Sequence, residues 1–179
     1  MLFVEIVRAL LDILGSLLIG LLLLRAWAAA IGMPVRNPLA HFARALTDWL
    51  VRPLARVIPS RGRIEWAALL GALLVTALIV AAKRALFGLP VAADAIMLGS
   101  LIQLVNWALT LVIWVTLIHV VISWVNPLAP VAPALSMLLR PLLGPIQRIV
   151  PAIAGIDLSP MVLLIAVYLL QIVLGRLVF

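Results

Sequence analysis

Leu50-Val51-Arg52-Pro53-Leu54-Ala55-Arg56-Val57-Ile58-Pro59 returns 92 residues later as Leu142-Leu143-Gly144-Pro145-Ile146-Gln147-Arg148-Ile149-Val150-Pro151. Pro53, Arg56 and Pro59 fall on Pro145, Arg148 and Pro151, and the register runs without a gap through Ile64-Glu65 onto Ile156-Asp157. Upstream, Asn37-Pro38-Leu39 answers Asn126-Pro127-Leu128, with three more residues before the second Pro-x-x-Arg-x-x-Pro. A spacing held this long marks an internal duplication. Each unit reads as an apolar helix, an Asn-Pro turn, a basic segment ending in Pro-x-x-Arg-x-x-Pro, an acid and a second apolar helix. The division falls near residue 90, giving units 1–90 and 91–179.

Working outward, the flanks decide the class. Of the 179 residues 67% are hydrophobic and 11% charged, and the mean hydropathy is +1.34. A soluble domain carries about a quarter charged residues, so an all-α integral membrane protein is expected. Four runs are long enough, at roughly 17–25 residues, to cross a hydrocarbon core about 30 Å thick: Leu10 to Ala30, Trp66 to Ala82, Ile96 to Val125 and Leu158 to Phe179. The third exceeds the requirement and should tilt or project. Gly32-Met33-Pro34, Gly88-Leu89-Pro90 and Pro127, Pro130 and Pro133 separate them. Ile13 to Leu24 also has the form of a signal-peptide core, with Ala26-Trp27-Ala28 as its cleavage site. Glu5 and Asp12 outnumber Arg8 there, against a basic leader, and the run has a counterpart in the second unit, so a retained helix is expected.

The net charge of +7 comes from basic residues bunched in the connections. Arg36, Arg44, Arg52, Arg56, Arg61, Arg63, Arg140 and Arg148 lie on one side of the predicted spans, and Arg8, Lys83, Arg84 and Arg176 on the other. The positive-inside rule then puts both connections in the cytoplasm and both termini outside, in a bacterial inner membrane. Two crossings per unit make the repeats parallel. Topology accounts for this charge without nucleic acid, so no direct nucleic-acid binding is expected. Zero cysteines and two histidines leave no nucleophile-base set and no metal-ligand set, so no catalytic, cofactor or metal site is expected.

From Leu39 the positions Leu39, Phe42, Leu46, Trp49, Leu50, Pro53 and Val57 step by three and four, with His41, Arg44, Asp48, Arg52 and Arg56 opposite. This predicts a helix lying in the membrane interface, its arginines on anionic headgroups; a solvated loop is the plainer reading. Its counterpart, Ala134 to Val150, breaks its apolar character only at Arg140, Gln147 and Arg148, and should dip into the bilayer or pack under the bundle. The prolines should bracket about one and a half turns of helix, with an arginine between them. Glu65 and Asp157 each follow the last proline by six residues. One expectation is that Arg56 clamps Glu65 and Arg148 clamps Asp157; the other is that each acid merely favours a helix N-terminus.

Polar groups inside the spans are the remaining suspects. Gln103, Asn106 and Thr110 share a face of the third span, and Thr116, His119 and Ser123 lie roughly opposite. Arg25 ends the first span, and matching the repeats sets Arg25 against His119. At a span's end Arg25 can snorkel, and a lone His more often bonds a neighbouring helix than a ligand. Ala68, Ala72 and Thr76 form a better small-residue stripe than Ala67, Gly71 and Val75.

The repeated Asn-Pro-Leu, the Leu-x-Arg-Pro-Leu and Pro-x-x-Arg-x-x-Pro segments and the Ile-Glu or Ile-Asp opening an apolar span resemble the YggT/YlmG family of small membrane proteins, over nearly the whole chain. Trp49 stands where that family often has Pro, Glu65 where Asp is usual and His119 where Arg is frequent. The resemblance implies association with cell-division gene clusters or osmotic and potassium stress in bacteria, and with nucleoid distribution or cytochrome b6 maturation in chloroplasts. It carries no catalytic residue. Two functions are therefore expected to compete: a non-enzymatic organiser binding the bilayer, anionic lipid and other membrane proteins, and an ion or small-solute pathway. The sequence names no oligomeric state.

Overall fold

The computed structural model describes residues 2–58, 62–150 and 157–176. Pro59, Arg61 and Pro151, three of the residues singled out above, lie outside the described residues. Six helices follow in order: α1 Leu2–Ala30, α2 Pro38–Val57, α3 Trp66–Leu86, α4 Ala93–Val125, α5 Ala132–Ile149 and α6 Ser159–Arg176. Helices α1, α3, α4 and α6 are long and apolar enough to cross a membrane. Only 11% to 28% of the residues in their most apolar windows are buried, so most of that surface needs lipid as its solvent. At 29 and 33 residues, α1 and α4 exceed the thickness of a hydrocarbon core, which about 20 residues span.

The two units are built alike. In each the first helix packs on the second and third and the second on the third, while α4 joins them by packing on α1 and α3. One core gathers Ile19, Leu22, Leu23, Ala26, Val51, Ala67, Ala68 and Ala72; the other gathers Met33, Ala43, Val115, Leu135, Leu138, Leu139, Leu163 and Val167. On α3 both small-residue stripes are buried, not one: Ala68, Ala72 and Thr76, and also Ala67 and Gly71. A Cβ on Gly71 would stand 3.4 Å from Leu54, 3.6 Å from Leu22 and 3.6 Å from Leu50, so three helices converge on it.

The stop signals act through the backbone. Gly32 and Gly88 adopt φ of 72° and 65°, a left-handed conformation open to glycine. Met33 N–H bonds Ala28 O and Gly32 N–H bonds Ala29 O; Leu89 and Gly88 repeat the pattern on Arg84 and Ala85. These paired bonds satisfy the orphan carbonyls of α1 and α3, and a proline follows each.

The basic segments differ from expectation in three ways. First, the prolines do not bracket a separate short helix. Pro53 lies inside α2, and Pro141 and Pro145 inside α5, each ring on the exposed side, where a carbonyl deprived of its donor is not buried. Both helices stop two residues before their second proline, and the pre-proline residues Ile58 (φ −123°, ψ 92°) and Val150 (φ −105°, ψ 101°) are extended, as the clash with a proline ring requires. Second, the matching Asn-Pro pairs do different jobs. Asn37 caps α2, accepting from Leu39 N–H at 3.0 Å with Pro38 opening the helix, whereas Asn126 ends α4 and α5 starts only at Ala132. Third, Leu50 leaves the expected apolar stripe of α2 and joins the inward face with Ala40, Ala43, Thr47 and Val51. Phe42, Leu46, Trp49 and Val57 remain exposed, and His41, Arg52 and Arg56 are exposed on a separate side. Helix α5 turns Leu135, Leu138, Leu139 and Leu143 into the core that holds Val115 and Leu163 of its own unit and Met33 and Ala43 of the first, and leaves Arg140 and Arg148 outward.

Candidate functional site

Arg25 does not snorkel outward; it turns into the bundle and is the hub of the first unit. Its side chain is 7% exposed. Nε and Nη2 donate to Glu65 Oε1 at 2.9 and 2.7 Å, while Nη1 donates to Asp48 Oδ1 at 2.7 Å and to Thr47 Oγ1 at 3.0 Å. The planar guanidinium thus joins α1 to α2 and to the residue that opens α3, a fork geometry that an ammonium does not reproduce. Thr47 passes its own proton to Ala43 O at 2.7 Å, so the hydroxyl is satisfied on both counts. Arg52 adds a second cation to Asp48, at 2.8 Å from Oδ2. Burial of Asp48 works toward protonation, but the Arg25 hydrogen bond and charge, supported by Arg52, outweigh it and hold the carboxyl below the usual carboxylate range.

The expected clamp between Arg56 and Glu65 is therefore wrong. Glu65 is spent on Arg25, and Arg56 sits exposed in the last turn of α2, where a cation complements the helix dipole. Nor does Arg148 hold Asp157. Asp157 Oδ2 accepts from Gln147 Nε2 at 2.8 Å and Oδ1 accepts from Ser159 N–H at 2.8 Å, so this acid favours its helix N-terminus, and Arg148 occupies the last turn of α5 as Arg56 does that of α2. Burial opposes ionisation of Asp157, but hydrogen bonds from Ser159 and Gln147, with the charge of His119, hold its carboxyl below the ordinary range. At the offset of 92 Arg140 stands at the place of Asp48 and Asp157 at that of Glu65, and matching Leu24-Arg25-Ala26-Trp27 to Ile118-His119-Val120-Val121 sets His119 against Arg25. The second unit does not repeat the cluster: Arg140 faces outward, and Asp157 bonds Gln147 and Ser159.

Other polar groups close contacts between spans. Gln171 of α6 donates to Thr110 Oγ1 at 2.9 Å and to the Asn106 carbonyl at 3.4 Å, tying α6 to α4. Gln103 instead lines a cavity of about 150 Å³ with Asp12, Ser16, Thr76 and Lys83, between α1, α3 and α4. There Lys83 pairs with Asp12, which also has Arg8 Nε at 3.8 Å. Helices α1 and α3 are thus pinned by ions at both ends, near Arg25 and near Asp12. Among the described residues no three His, Asp or Glu side chains assemble as a metal-ligand set.

Sequence reasoning missed the Arg25 cluster, Asp12 with Lys83, and Gln171. One signal was readable: between residues 13 and 93 the only acids are Asp48 and Glu65, both near the end of the spans that carries Arg25. Two cavities flank the cluster. One, of about 570 Å³, is lined by Arg25, His41, Arg44, Asp48 and Arg52; the other, of about 460 Å³, by Arg44, Arg63 and Glu65 with Gly32 and Ile64.

The CCB3/YggT family profile matches residues 4–86 and again 98–178. The uncharacterized protein YggT of Escherichia coli K12 is 37% identical over 153 residues, covering 84% of this chain and 79% of the relative. An uncharacterized protein encoded in the proC 3′ region of Vibrio alginolyticus is 35% identical over 173 residues, covering 94% and 93%, and one from Haemophilus influenzae is 34% identical over 144 residues, covering 80% and 77%. No solved structure matches the chain. With both halves of the duplicated sequence matched in tandem, on helices long enough to span a bilayer, this chain is a multi-pass membrane protein that belongs to the CCB3/YggT family.

Proposed function

We propose that this protein is a non-enzymatic organiser or assembly factor of the bacterial inner membrane. Its units 1–90 and 91–179 hold both basic connections in the cytoplasm and both termini outside, an orientation supported by the arginine bias. The observation that carries the reading is α2: an inward face of small residues, an exposed apolar stripe of Phe42, Leu46, Trp49 and Val57, and a separate cationic side. Such a helix suits a membrane surface, with its apolar stripe in the acyl boundary and its arginines on anionic headgroups at about 1 kcal/mol each. The partners are other membrane proteins, recruited in cell division or in maturation of a membrane complex, as the resemblance to YggT/YlmG proteins suggests.

One observation favours a second reading, an ion or small-solute pathway in osmotic or potassium stress. The cavity containing Asp12, Lys83 and Gln103 places polar side chains between three spans, a usual mark of a permeation route. Reconstitution into sealed liposomes decides between them. The organiser reading expects no selective flux above protein-free vesicles; selective flux abolished by Gln103→Leu in a variant that still folds overturns it. Sidedness is tested separately, because a chain without cysteine accepts single reporters cleanly. Ala45→Cys should react with an impermeant maleimide only from the cytoplasmic side and Val91→Cys only from outside.

A further inference from the structure

The polar cavity beside the Arg25 cluster and an apolar groove beyond it share Ile64. The groove, of about 330 Å³, runs between α1 and α4 and is walled by Leu23, Ala26, Trp27, Ala108 and Leu111. The cavity has the opposite character. Arg44 and Arg63 both line it, and among the described residues neither enters an ion pair. Gly32 stands beside Arg63, whose guanidinium would lie 3.9 Å from a Cβ built there, an ordinary contact. Glu65 lines the same cavity, and while its Oε1 is taken by Arg25, its buried Oε2 has no donor.

These features combine into a head-and-tail layout. Two guanidiniums without carboxylates match a phosphate diester, which arginine grips in bidentate fashion. The neighbouring groove is open to the side of the bundle and offers small alanines where a chain can lie close. Trp27 lines the groove near the C-terminal end of α1, where indoles suit headgroup depth. A buried carboxylate oxygen without a donor is destabilising until one arrives. We propose that one phospholipid occupies this site, its phosphate between Arg44 and Arg63, one acyl chain in the groove between α1 and α4, and a donor-bearing headgroup, ammonium or hydroxyl, turned to Glu65. The site is a fixed one, distinct from diffuse attraction to the outer arginines, and it rests on the orientation proposed above only for the leaflet it draws from.

Native mass spectrometry of the detergent-purified full chain, delipidated and then given phosphatidylglycerol or phosphatidylethanolamine, tests this. The expected result is one tightly retained lipid per chain. It should be lost in Arg44→Gln/Arg63→Gln and kept in Arg36→Gln/Arg140→Gln, which removes the same charge from exposed positions. Ala30→Leu/Ala108→Leu fills the groove without touching charge and should also release the lipid. If that variant fails to fold, the paired arginine variants still decide. Equal loss in both arginine pairs, or displacement of the lipid by excess inorganic phosphate, overturns the site; neither result bears on flux or sidedness, which test the organiser reading.

Discussion

A guanidinium held by two acids from different helices makes Arg25 the most consequential single side chain of the first unit. Removing one partner of a buried ion pair typically costs 3–5 kcal/mol because the other charge stays buried. Arg25→Met is therefore expected to destabilise the protein by about that much in detergent unfolding, with Arg25→Lys intermediate because one ammonium replaces a three-nitrogen fork. Equal stability of Arg25→Met and the wild type would remove the cluster's structural role. Acid should act in the same direction. Because Asp48 is held below its ordinary range in the folded protein, the stability it contributes is complete above about pH 4 and is lost as pH falls below that, through its folded value. Asp48→Asn should flatten that part of the stability-pH curve.

Among the elements, contacts that no periodicity announces decide how the spans sit. Gly71→Ala places a methyl at ordinary contact distance from three leucines and should be tolerated, whereas Gly71→Leu overpacks the junction of α1, α2 and α3 and should cost about 1–3 kcal/mol. The α4–α6 link is weaker: Gln171→Leu is expected to cost only about 0.6 kcal/mol, the average for a hydrogen bond between membrane helices. Both are measurable by thermal unfolding in one detergent. The four spans and the duplication were legible because apolar length and a constant offset are properties of the linear chain. The ends of α2 and α5 were partly legible, through Pro59 and Pro151. The pairing of Glu65 was not. Reasoning along the chain matched it to Arg56, nine positions away, while its true partner is 40 positions away and is brought close only when α1 packs on α3. Leu50 was misplaced for a related reason: a stripe drawn around one helix does not tell which edge a neighbour covers.

Across the whole molecule, duplication has yielded one ion-centred unit and one apolar unit. If His119, Arg140 and Asp157 truly occupy the places of Arg25, Asp48 and Glu65, the first unit's cluster can be rebuilt in the second. His119→Arg/Arg140→Asp should then be more stable than the sum of the single variants by about 0.5–3 kcal/mol, the coupling expected of groups in contact. Strict additivity would show that the register does not carry over into space.

The Arg25 cluster also sets an order on biosynthesis. When α1 leaves the ribosome its arginine has neither of its acids; Asp48 is made 23 residues later and Glu65 40 residues later, which at 5–20 residues per second is a delay of about 2–8 s before the set is complete. Until Asp48 is made the first helix carries an uncompensated charge and is a poor resident of the bilayer, and the turn before α3 then supplies the second acid. A nascent chain stopped at residue 40, before either acid, should therefore be extracted or degraded, while one stopped after α3 should persist, so that quality control can read from a single side chain whether the first half has been finished.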